Sequence, residues 1–225
     1  AVYYTVMKTA ANAGLGPIFY IVHSKTLVDQ IKALHPEVTI IYGRNEYDCY
    51  YPDYASQQPL PRADEIPCSL LVDCPSRVNL ETGETKVQGA MPCPYLMQKY
   101  AAIHSEMTAS SDAFYLFDRL FAQKWESPVV LVIDEAHHAL AQSYLTILAR
   151  FGLVPDMSGV QQRELDRREL SAMTRKRFES FRPKADAPFL IGVTATPSRT
   201  DGRGLEYILD ELVYSMTIGD GMDQG

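Results

Sequence analysis

"VVLVIDEAHHAL" occupies residues 129–140. It opens with five apolar residues, Val129 to Ile133, four of them β-branched, a pattern that suits a strand buried on both faces. Two carboxylates, Asp134 and Glu135, follow at once. In a parallel α/β sheet ligands bind beyond the carboxyl ends of the strands, where this pair falls. One or two carboxylates with water and phosphate oxygens suit magnesium, and a second carboxylate can orient or deprotonate an attacking water. A bare acidic pair after a strand is also compatible with an exposed turn, so its neighbours decide.

Working outward, short apolar runs predict further strands at 18–22 ("IFYIV"), 38–42 ("VTIIY") and 189–193 ("FLIGV"). Helical periodicity predicts helices at 1–13, 25–34 (Leu27, Ile31 and Leu34 on one stripe), 112–124 and 138–151. In the last of these Ala141, Tyr144, Leu145 and Leu148 face inward. Two more helices are expected at 161–181, with Leu170, Met173, Phe178 and Phe181 on one side, and at 204–212. Apolar strands alternating with helices predict an α/β fold with a parallel sheet and helices on both faces. Between residues 44 and 100, Pro52, Pro59, Pro61, Pro67, Pro75, Pro92 and Pro94 interrupt any long element. This stretch reads as a loop-rich insertion, 44–100, within a domain made of 1–43 and 101–225.

The formal net charge of −7 creates no global field for nucleic acid. Residues 161–184 nevertheless hold eight Lys/Arg against four Asp/Glu, leaving the remainder at −11. A solvated helix face is the expected meaning, with a nucleic-acid backbone contact as the alternative. No apolar stretch approaches the roughly 20 residues of a membrane span, and no leader opens the chain, so no membrane partner is expected. The expected compartment is intracellular: cytoplasmic in a prokaryote or phage host, nuclear in a eukaryote.

All four cysteines, Cys49, Cys68, Cys74 and Cys93, lie in the insertion, separated by 18, 5 and 18 residues. Without a secretory leader, metal or cluster ligation competes with free buried thiols before disulfides do. The CxxC pairs usual for zinc are absent.

The strand at 189–193 runs into "TATPSR" (194–199). "DEAH" and "TATP" at two strand ends resemble the Walker B element and motif III of superfamily 2 DEAH-box helicases and translocases. The resemblance implies a RecA-like motor domain that binds ATP and Mg²⁺. Asp134 would hold Mg²⁺ through water, Glu135 would activate the hydrolytic water, and His137, Thr194 and Thr196 would form the relay to nucleic acid. "FYIVHSKTLVDQI" (19–31) resembles motif Ia, which implies a phosphate contact by Ser24 and Lys25, although such a serine can equally cap a helix.

Residues 18–124 resemble the XPD/DinG iron–sulfur helicases. "GRNEYDC" (43–49) and "CPY" (93–95) match the flanks of that family's cluster domain, inserted between motif Ia and the DEAH box. The resemblance implies a [4Fe–4S] cluster on the four cysteines, with zinc as the alternative. Residues 129–225 look more like the TATP branch of RecG and restriction-enzyme translocases.

No GxxxxGK[ST] phosphate loop is present, and residues 1–13 read as the helix that follows one. The expectation is therefore the first motor domain of an ATP-dependent DNA helicase, acting on a single strand or fork. It would lack its phosphate loop and be inactive without that loop and a second RecA-like domain. A duplex translocase and a non-catalytic nucleic-acid-binding module are the alternatives.

Overall fold

In the computed structural model the described residues are 2–54, 56–66, 68, 73–114, 129–165, 170–194 and 205–209. Five strands form one sheet: β1 (Ile18–Val22), β2 (Thr39–Ile40), β3 (Met107–Ser111), β4 (Val130–Ile133) and β5 (Phe189–Gly192). Their order is β2-β3-β1-β4-β5 and every pairing is parallel. The α/β class and the RecA-like expectation agree with this sheet.

Alternation along the strands divides the core in two. Ile18, Tyr20 and Val22 of β1, with Val130 and Val132 of β4, join Met7 of α1 (Val2–Asn12) and Val28 and Ile31 of α2 (Lys25–Leu34). Phe19, Ile21, Leu131 and Ile133 face the other way. They meet Tyr95 of α3 (Pro94–Ile103), Tyr144, Leu145 and Leu148 of α4 (Gln142–Arg150) and Phe178 of α6 (Ala172–Ser180). The short α5 (Gln162–Leu165) adds Leu165 to that side. Both faces of β1 and β4 are thus covered, as their unbroken apolar sequences require.

Several boundaries differ from those expected. β3 has no counterpart in the sequence reading: "MTASS" is short and polar, yet its first four residues are buried between β1 and β2. β5 is an edge strand among the described residues, not a buried one, and Phe189 is 70% exposed. The second expected strand shrinks to Thr39–Ile40. Leu34 is exposed, and Val28 takes the inward position with Ile31.

The helix expected at 138–151 begins only at Gln142, because a 3₁₀ turn, Ala136–His138, intervenes. The basic helix is two pieces, α5 and α6, and residues 166–169 between them lie outside the described residues. On α6 Met173 is 66% exposed, while Thr174 and Phe178 are the buried pair. Of the expected helices at 112–124 and 204–212, only 112–114 and 205–209 are described; Leu205–Tyr207 is a 3₁₀ turn. Among the described residues of the insertion there is no named strand, only two isolated bridges, Asp48 with Arg62 and Val78 with Thr85. No helix among the described residues is long and apolar enough to cross a membrane.

Candidate nucleotide site

The sheet register sets Ile21, Ile133 and Gly192 side by side. The residues that follow them, at the carboxyl ends of β1, β4 and β5, therefore share one edge. The backbone N–H of Asp134 donates to Ile21 O at 3.0 Å, and that of Val193 to Ile133 O at 2.8 Å. The DEAH turn is then tied across to the neighbouring strand, since Ala136 N–H donates to Val193 O at 2.9 Å. Thr194 stands one residue further on. The two motif-bearing strand ends are thus joined through the backbone.

Close approach here depends on Gly192. A Cβ on that residue would lie 2.8 Å from Ala136 Cβ and 2.8 Å from Leu209 Cδ1, inside any ordinary contact distance. Glu135 carries the tension of the turn: its φ of 48° and ψ of 49° are left-handed, the only such non-glycine conformation among the described residues. For an L-residue that costs about 1–2 kcal/mol. Strained backbone of this kind persists where surrounding structure over-determines it, commonly at functional sites.

Asp134 is half-buried, and burial raises its carboxyl above the usual aspartate range. The Tyr20 hydroxyl and the Glu135 N–H donate to it and partly offset that cost. Tyr20 is itself fully buried on β1, and burial and Asp134 hold its phenol far above the ordinary tyrosine range. Tyr3, in the first turn of α1, stacks on Tyr20 at 4.8 Å with 10° between the rings. Burial and Asp134 raise the Tyr3 phenol as well. The amino-terminal turn of α1 therefore abuts Asp134.

Tyr20 was hidden from sequence reasoning, because inside "IFYIV" it looks like any core aromatic. Asp112, at the end of the unforeseen β3, was hidden with its strand. It is buried, and its carboxylate lies 3.4 Å from His23 Nδ1. The His23 ring lies 5.9 Å from that of His138. Thr196 and the side chain of His137 lie outside the described residues.

The motif Ia pair sits at the adjacent strand end. Ser24 is the N-cap of α2, its Oγ accepting from Leu27 N–H at 3.4 Å. Lys25 reaches Glu46 at 2.6 Å in an exposed ion pair. It also lines a cavity of about 700 Å³ with Tyr42, Arg44, Tyr95 and Phe114, where the insertion meets the sheet.

The four cysteines are free thiols. Burial raises the Cys49 thiol, and Cys68 and Cys74 raise it further. Burial likewise raises Cys93, with smaller contributions from Cys68 and Cys49. Cys49 is therefore within electrostatic reach of the other three. The Arg44 guanidinium donates to Cys68 Sγ at 3.1 Å, to Ile66 O at 3.0 Å and to Ala63 O. Four thiols are the right donors for an iron–sulfur cluster. Among the described residues, however, no group of three or more His, Cys, Asp or Glu side chains is arranged to hold a metal ion. The donor chemistry fits and the cage is not closed.

A search of curated proteins matches "Putative mitochondrial ATP-dependent helicase irc3" of Schizosaccharomyces pombe, 34% identical over 85 residues. The chain has a helicase-like relative. The match covers 38% of this chain and 9% of that protein. No protein-family model and no solved structure matches.

Proposed function

We propose that this chain is the ATP-binding motor part of a helicase that works on DNA. The observation that carries the reading is the joined pair of strand ends: Asp134 and Glu135 just after β4, bound through Ala136 N–H to Val193, beside Thr194 just after β5. The α1 turn against Asp134 supports the same reading, as does the helicase-like relative.

In this reading Tyr20 orients Asp134 from within the sheet, and Asp134 would hold magnesium through water. Magnesium, when bound, would supply charge neutralisation to the phosphates. Glu135, fixed by its strained backbone, takes a proton from the attacking water. The water oxygen bonds to the γ-phosphorus as the bond to the bridging oxygen of ADP breaks. Thr194, Thr196 and His137 relay the nucleotide state, while Ser24 and Lys25 hold a nucleic-acid phosphate. The four cysteines are proposed as iron–sulfur ligands, and no step of hydrolysis is routed through them. A second RecA-like domain is the proposed partner that closes the cleft.

The test is Glu135→Gln in the full-length protein, with DNA-stimulated ATP hydrolysis measured beside thermal unfolding. Turnover should fall by about 10²-fold or more with folding intact. Retained turnover would refute the assignment of Glu135, whereas DNA binding with no ATP turnover in the unsubstituted full-length protein would favour a non-catalytic binding module.

A further inference from the structure

Tyr144 begins the second residue-pair of α4 and is fully buried. Buried phenol hydroxyls normally have a hydrogen-bond partner. Among the described residues the Tyr144 hydroxyl has none, and neither does Ser110 Oγ, which is also fully buried. The two belong to the same side of the sheet. Ser110 pairs in register with Ile21, and Ile21 and Tyr144 share one core cluster. Residues side by side in register point to the same face.

Just beyond Ser110 lies the buried Asp112, and beyond Ile133 lie Asp134 and Glu135. Burial raises the Tyr144 phenol first, and the carboxylates of Asp112, Asp134 and Glu135 raise it further. A neutral hydroxyl donor thus stands inside the field of three carboxylates. Hydrogen bonds to charged acceptors are the strong ones. Tyr20 already makes such a bond to Asp134 from the opposite face.

We propose that Tyr144 is a positioning residue for nucleotide hydrolysis: with magnesium and nucleotide bound, its hydroxyl donates to the acidic strand ends and fixes them from the α4 face, as Tyr20 does from the α1 face. This rests on the reading of Asp134 and Glu135 as nucleotide-site carboxylates.

The experiment uses Tyr144→Phe and Glu135→Gln in the full-length protein, with kcat and KM for ATP and the thermal midpoint measured for each. For Tyr144→Phe, kcat should fall by about ten-fold with KM for ATP unchanged within about two-fold. The thermal midpoint should hold or rise, because removing an unpartnered buried hydroxyl is neutral or stabilising. Wild-type kcat would overturn the role of Tyr144. So would a fall in kcat accompanied by a lower midpoint, which would mark the hydroxyl as a structural bond. Full turnover in Glu135→Gln would remove the underlying nucleotide reading and this proposal with it, whereas wild-type kcat in Tyr144→Phe alone leaves that reading intact.

Discussion

Glu135 and Asp134 are adjacent and expensive for different reasons. Glu135 is held in a left-handed conformation that glycine adopts freely. Glu135→Gly should therefore leave stability unchanged or raise it by up to ~1 kcal/mol, checked by denaturant unfolding, while abolishing ATP turnover. Asp134 is charged against burial, and its raised carboxyl sets the sign of its pH effect. Its stabilising contribution is complete below the unfolded aspartate range near pH 3.9 and is lost as pH rises through the higher folded value. In magnesium-free buffer Asp134→Asn should accordingly be more stable than wild type at neutral pH. The two midpoints should converge on acidification. Adding Mg²⁺ with nucleotide should raise the midpoint of the wild type and not of the variant. A wild-type midpoint that exceeds the variant's at pH 7 without magnesium would contradict this account.

At the scale of elements, the strands with β-branched runs were legible because burial on both faces needs just those residues. β3 was not. "MTASS" has one large apolar residue, and it is central only because β1 and β2 flank it. Its burial comes from topology, which no local pattern records. Asp112 and Ser110 disappeared with it. Tyr144 was legible as an inward-facing helical residue, but its unpartnered hydroxyl was not, since that depends on what the strand ends bring near. Ser24 shows the reverse ambiguity, a candidate phosphate ligand that is also a helix cap. Ser24→Ala should cost about 1 kcal/mol of stability. A loss of DNA affinity at matched stability would mark a phosphate contact besides. The β4–β5 junction is tested by Gly192→Ala, which forces a methyl against Ala136 Cβ. We expect a loss of about 1–3 kcal/mol, partly recovered in the double variant with Ala136→Gly, and read as a coupling energy in a mutant cycle.

For the whole molecule, the sheet core and the cysteine-bearing stretch meet at named contacts. Lys25 pairs with Glu46, and Gln98 Nε2 donates to Ile40 O at 2.6 Å. The state of the four thiols is decided by composition: anaerobically purified full-length protein should carry iron and acid-labile sulfide, lost in Cys93→Ser. Zinc without sulfide would establish the alternative ligand. Absence of both would leave four reduced thiols, of which the buried Cys49 and the half-buried Cys93 already favour the protonated form.

Cys93 is also the residue that immediately precedes α3, occupying its N-cap position. Ten residues of helix make a strut of about 15 Å, and after His104–Glu106 the chain becomes β3, which is followed at once by Asp112 beside His23. One stiff rod and one strand, with three residues of slack between them, join a thiol in the insertion to a buried carboxylate at the same sheet edge as Asp134.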